Sequence, residues 1–189
     1  MRLTLAFAIL FAANATAEPE KHVDPETGLV GWEWQDDDVS ITLNQRLPDQ
    51  SRAYFQGRGF RSEAADRIAE SCVFQAIIRN RADPPVVMQL NLADWRVHQA
   101  GESVRPLRLE SEWQPEWERR DVGQAARIAF RWSLFPTVQT FQPGDWNMGM
   151  ITIGLHPGES FDLEVVWRQD EVPRRVSFGG MRCAPEREI

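Results

Sequence analysis

Apolar and polar positions alternate with a period of two along most of the chain beyond residue 38, the signature of strands with one buried face. Val39, Ile41 and Leu43 alternate with Ser40, Thr42 and Asn44. Phe74, Ala76 and Ile78 share a parity with Cys72, and Val86, Met88, Leu90 and Leu92 alternate with Gln89 and Asn91. The same period runs through Ala126, Ile128, Phe130, Trp132 and Leu134, and again through Phe161, Leu163, Val165 and Trp167. A last strand carries Val176 and Phe178 before Gly179-Gly180, a pair suited to a β-bulge. Turn signals at Asp83-Pro84-Pro85, Pro143-Gly144-Asp145 and Pro157-Gly158 separate these runs.

One segment breaks the pattern. In "RSEAADRIAES", Ala65, Ile68, Ala69 and Cys72 fall at helical spacing behind Ser62, a candidate N-cap. The segment around Trp113 and Trp117 has too little period to assign and reads as a loop or hairpin tip. The predicted fold is an all-β antiparallel sandwich with one short helix over residues 39–189. A polar arm over 18–38, rich in proline and glycine, precedes it.

The first residues change the picture of where the fold operates. Arg2, the apolar run Leu3 to Ala13 and the small-residue site Ala15-Thr16-Ala17 form the three parts of a secretory signal peptide over 1–17. The apolar run is shorter than the ~20 residues a membrane-spanning helix requires. Export to an oxidising compartment, periplasmic or extracellular, gives the two cysteines a role. Cys72 and Cys183 are the only pair, lack Cys-x-x-Cys spacing, and are expected to form one disulfide. A sandwich with one cysteine on an early strand and another near its end is similar in architecture to immunoglobulin domains, which implies fold alone.

Charge narrows the partners. The chain carries a formal −7, so nucleic acid is a poor partner, and no further apolar segment suggests a transmembrane span after processing. Its cations are nearly all arginine, with Lys21 the one lysine.

No catalytic signature stands out. Ser160 lacks a G-x-S-x-G elbow, "GRGFRS" lacks the third glycine of a phosphate-cradling turn, and Asp36-Asp37-Asp38 lacks the alternate spacing of a calcium loop. The sharpest chemical signal is "DWNMGMITIGL". Read as a strand, it puts Ile151, Ile153 and Leu155 on the core face and Trp146, Met148, Met150 and Thr152 on the other. Thioethers are soft ligands for Cu(I), so Met148 and Met150, with His156 beyond the strand, form a candidate copper site. The same residues also suit a contact edge for a partner protein or ligand. Loop tryptophans, Trp113, Trp117 and Trp146 among them, extend that surface, because large rings anchor interfaces. The expected function is a non-catalytic accessory or binding protein. Copper handling is the alternative, and a hydrolase with unrecognised carboxylates a third.

Overall fold

Val39, Ile41 and Leu43 do point into a shared core, and so do the inward residues of most of the other alternating runs. A computed structural model describes residues 18–186. In chain order the strands and helices are β1 (Glu20–Val23), β2 (Val30–Gln35), β3 (Val39–Gln45), α1 (Pro48–Gln56), α2 (Ser62–Ala69), β4 (Val73–Asn80), β5 (Met88–Asn91) and β6 (Arg96–His98). Then come α3 (Glu110–Arg119), α4 (Gln124–Ser133), β7 (Val138–Phe141), β8 (Trp146–Thr152), β9 (Ser160–Gln169) and β10 (Val172–Arg182). The strands form two antiparallel sheets, ordered β1-β2-β3-β4-β8 and β10-β9-β5-β7, with β6 also paired to β9. The bulge expected at Gly179-Gly180 is present, because the β9–β10 register shifts between Phe178 and Met181.

The disulfide forms as expected. Cys72 enters β4 of the first sheet, Cys183 follows β10 of the second, and their Cα atoms lie 5.2 Å apart. The expected helix also delivers Cys72 to its strand, although Arg61 rather than Ser62 occupies the N-cap position.

The expectation of one helix is corrected to four. Residues 124–133, read as a strand, are α4: Ala126 and Phe130 are buried at helical i, i+4 spacing. Ile128 and Trp132 share their even parity but lie on the solvent side, so Trp132 is a surface residue and not a core one. Residues around Trp113, read as a loop, form α3, which buries Trp113, Glu116 and Trp117 at i, i+3, i+4. Pro115 inside that helix masks the pattern, because a proline ordinarily ends one.

The segment 18–38, read as a loose arm, contributes β1 and β2 to the first sheet and buries Trp32 and Trp34, two residues apart on one face. Nor is the connectivity that of an immunoglobulin domain. β1 to β4 run as a meander within one sheet, whereas immunoglobulin strands alternate between sheets as a Greek key. The proposed signal peptide, residues 1–17, lies outside the described residues.

The four helices build a second core outside the first sheet. Phe55, Phe60, Ile68, Trp113, Trp117 and Phe130 pack over Val73 of β4 and Met150 of β8. Trp113 and Trp117 stack with centroids 4.9 Å apart, and Phe130 meets both edge-on. The helical layer covers one end of the sheet's outer face and leaves the other end open.

Candidate functional site

β8 is the last strand of the first sheet, and its two faces divide as the alternation requires. Ile151, Ile153 and Leu155 enter the core between the sheets. On the other face the methionines part company. Met150 lies under the helices at 8% exposure, whereas Met148 is 48% and Trp146 55% exposed. Thr152 completes the buried half, where its hydroxyl accepts a hydrogen bond from Trp113 Nε1 (3.1 Å).

His156 does not join the methionines. It is an exposed turn residue past the C-terminal end of β8, with its backbone N–H donating to Glu159 (2.6 Å), while Met148 lies toward the strand's N-terminal end. The sulfur of Met148 instead accepts from the Gln75 amide at 3.2 Å. Among the described residues no three His, Cys, Asp or Glu side chains gather as a metal would need. Trp113 and Trp117 are fully buried in α3 and present no surface.

What the fold does bring to Met148 is Trp132. A groove of about 530 Å³ opens between the C-terminal end of α4 and β8, lined by Arg131, Trp132, Pro136, Thr137, Asn147 and Met148, with Glu110 at its rim. Its shape follows from the chain leaving α4. Leu134 bridges to Met150, the Phe135 N–H donates to the Met150 carbonyl (2.8 Å), and the Phe135 ring enters the sandwich core. This crossing passes so close to Gly149 that any Cβ there would collide with the Phe135 backbone. Pro136 cannot donate to a strand ladder, and the chain turns there into β7 of the other sheet. The Asn147 amide donates to Gln139 (3.2 Å), linking β8 to β7 across the mouth of the sandwich.

The apolar surface of the chain gathers here. Trp132 is 79% exposed, and of the other exposed large hydrophobics Ile128, Val138, Trp146 and Met148 also lie on α4, β7 or β8. The Arg79 guanidinium sits 5.8 Å from the Trp146 ring centroid. Neither Arg79 nor Arg131 makes an ion pair among the described residues. Glu110, the carboxylate at the rim, accepts from Gln114 (2.6 Å). The sequence pointed to Met148 and Trp146 but not to the groove's other wall, because its alternation placed Trp132 among the inward positions of a strand. The signal that finds it is the helical spacing of Ala126 and Phe130, which turns Ile128 and Trp132 outward.

A second charged cluster is built for structure. Glu116 on α3 is buried and receives Arg120 Nε at 2.7 Å, Arg119 at 3.0 Å, Arg67 at 3.5 Å and Arg108 at 3.6 Å. Arg108 also lies over the Trp113 ring, 3.5 Å from its centroid. The Arg120 hydrogen bond, with the charges of the neighbouring arginines, holds the Glu116 carboxyl below its ordinary range. A depressed folded-state pKa contributes stability that is present above the ordinary value of 4.5 and lost as pH falls through the folded value. Glu116→Gln should therefore unfold about 3 kcal/mol more easily at neutral pH. Between pH 6 and pH 3 its stability should also fall less steeply than the parent's. Parallel urea melts across that range would contradict the assignment if the two curves kept a constant gap.

Compared with known proteins, the chain matches no family model, no curated protein and no solved structure, so the chemistry of the groove stands on the groove's own geometry.

Proposed function

We propose that this chain is an exported, non-catalytic binding protein that engages a partner protein through the groove between α4 and β8. The observation that carries the reading is a tryptophan 79% exposed beside a methionine 48% exposed, on a groove of about 530 Å³. A large ring left in water on a regular element forgoes burial worth about 1.5–3 kcal/mol, and an interface recovers it. Trp132 extends from a helix and Met148 from a strand, both braced by the buried core beneath, so little conformational entropy remains to be lost on binding. Export is supported by the signal-like residues 1–17 and by a disulfide that oxidising compartments favour. No helix among the described residues is long and apolar enough to cross a membrane.

The earlier candidates fare unequally under this reading. Trp146, Met148 and the newly placed Trp132 serve the surface, whereas Trp113, Trp117 and Met150 support it from below. A copper site would need Met150 and His156 to reach Met148, and one is enclosed while the other lies past the far end of the strand. A hydrolase would need paired carboxylates, and the groove's lining contributes Glu110.

The test is retention of proteins from the exported fraction on immobilised chain, quantified for wild type against Trp132→Ala/Met148→Ala. Loss of a central aromatic anchor costs about 2 kcal/mol or more, so retention should fall about thirtyfold. Unchanged retention by a folded double variant would sink the reading.

A further inference from the structure

A separate cavity of about 500 Å³ lies where the open end of the first sheet's outer face meets the start of α1. We propose that it binds a small organic monocarboxylate through Arg46. This residue follows β3 with the outward parity of Thr42 and Asn44, and its own N–H continues the ladder to the Val73 carbonyl (3.0 Å). Its side chain lines the cavity, yet Nε is buried without an acceptor, and the guanidinium has no ion pair among the described residues. A buried donor left unmet is costly, more so on a charged group, and native proteins keep few of them. An acceptor from outside removes that cost.

The sheet provides a polar floor for it. Gly31 in β2 has no side chain, and the His22 imidazole and Asn44 amide lie where a Cβ would stand. The Gln50 oxygen accepts the Leu47 N–H (3.3 Å), which leaves its NH2 group as a second donor in the lining.

Charge and apolar surface together choose the occupant. The planar fork of a single guanidinium matches the two oxygens of a carboxylate. Since the chain carries −7, a doubly charged phosphate meets about twice the long-range repulsion of a monoanion. The β1–β2 hairpin lends Val23, Pro25 and Leu29 to the same lining, which suits an aliphatic tail and offers nothing to an inorganic anion. One carboxylate, Asp24, shares the lining. It accepts the N–H groups of Glu26 (2.9 Å) and Thr27 (2.8 Å), closes the hairpin turn and forms no ion pair with Arg46. Asp24 therefore weakens the site without filling it, and its removal becomes a test.

Butyrate, its uncharged isostere butyramide, chloride and inorganic phosphate are titrated into the disulfide-intact chain while the Arg46 Nε–H and Asn44 side-chain signals are followed. Butyrate should shift both signals and bind at least about tenfold tighter than butyramide, as a charge-assisted hydrogen bond implies. Arg46→Gln should remove that preference. Asp24→Asn keeps an oxygen for the Glu26 and Thr27 N–H groups while removing the opposing charge, so it should tighten butyrate severalfold. This second variant answers even where Arg46→Gln fails to fold.

Equal affinity for butyrate and butyramide, or a butyrate affinity indifferent to Asp24→Asn, overturns the proposal. Shifts that chloride reproduces at the same concentration would mean an adventitious ion only, and overturn it as well. Phosphate binding tighter than butyrate would overturn the monocarboxylate in favour of a phosphate-bearing ligand.

Discussion

Cys72→Ala/Cys183→Ala is expected to unfold about 4–5 kcal/mol more easily than the parent chain, the largest effect of any change considered. The bond spans 111 residues of sequence, so its loss restores to the unfolded chain the freedom of a loop holding β4 to β10. The native state is built to accept the link. Both cysteines are buried, Cys183 N–H donates to the Glu159 carbonyl (2.9 Å), and the Cys72 carbonyl accepts from Ile153 N–H (3.0 Å). Cys72 also holds φ = 56°, a left-handed backbone that a non-glycine residue adopts at some cost. The link joins the first sheet to the second at the end opposite the β7–β8 crossing. Denaturant unfolding of the double variant checks the figure. A loss below about 1 kcal/mol would mean that the sheets hold their positions without the bond.

Trp113→Ala should cost about 3–5 kcal/mol, against less than about 0.5 kcal/mol for Trp132→Ala. The two residues would have been ranked the other way by their apparent contexts in the sequence, one in an unpatterned segment and one in an alternating run. In the fold, Trp113 is fully buried, stacked on Trp117, in edge contact with Phe130 and under the Arg108 guanidinium. Its indole N–H donates to the Thr152 hydroxyl, so truncation opens a large cavity and removes one of that hydroxyl's two hydrogen bonds, the other being its donation to the Arg108 carbonyl (2.5 Å). The Met148 edge lies on the same strand, and Trp113→Ala should also weaken partner retention by loosening its support. Equilibrium unfolding of both alanine variants decides. Comparable losses would contradict the assignment of Trp113 to a core and Trp132 to a surface.

The strands of the sandwich were legible because each buries one face, and period two survives wherever a single face is apolar. Val39 to Leu43, Phe74 to Ile78 and Phe161 to Trp167 all obey it, as did the split of β8 between Ile151 and Met148. Of the helical layer α2 was legible, but α3 and α4 were not, for two physical reasons. In α4 every second residue is apolar for unrelated purposes: Ala126 and Phe130 fill the core, while Ile128 and Trp132 face outward. In α3 the pair Trp113 and Trp117 shows helical spacing, but Pro115 between them argues for a break.

The site suffered most from this. Once α4 is taken for a strand, Trp132 disappears into the core and the groove it forms with Met148 has no second wall. Met148 itself was singled out for soft-metal chemistry, on its spacing from Met150. The burial of Met150 under the helices could not be read without those helices.

The measurement that bears most directly on the groove is photo-cross-linking in the native compartment, with p-benzoylphenylalanine in place of Trp132 or, as control, of Val172. Val172 is also an exposed hydrophobic, but it lies at the β9–β10 turn of the other sheet. The account predicts one discrete protein adduct from position 132, absent from position 172 and lost when Met148→Ala is added. Equal adducts from both positions, or none from 132 in the folded, exported chain, would contradict a binding surface between α4 and β8.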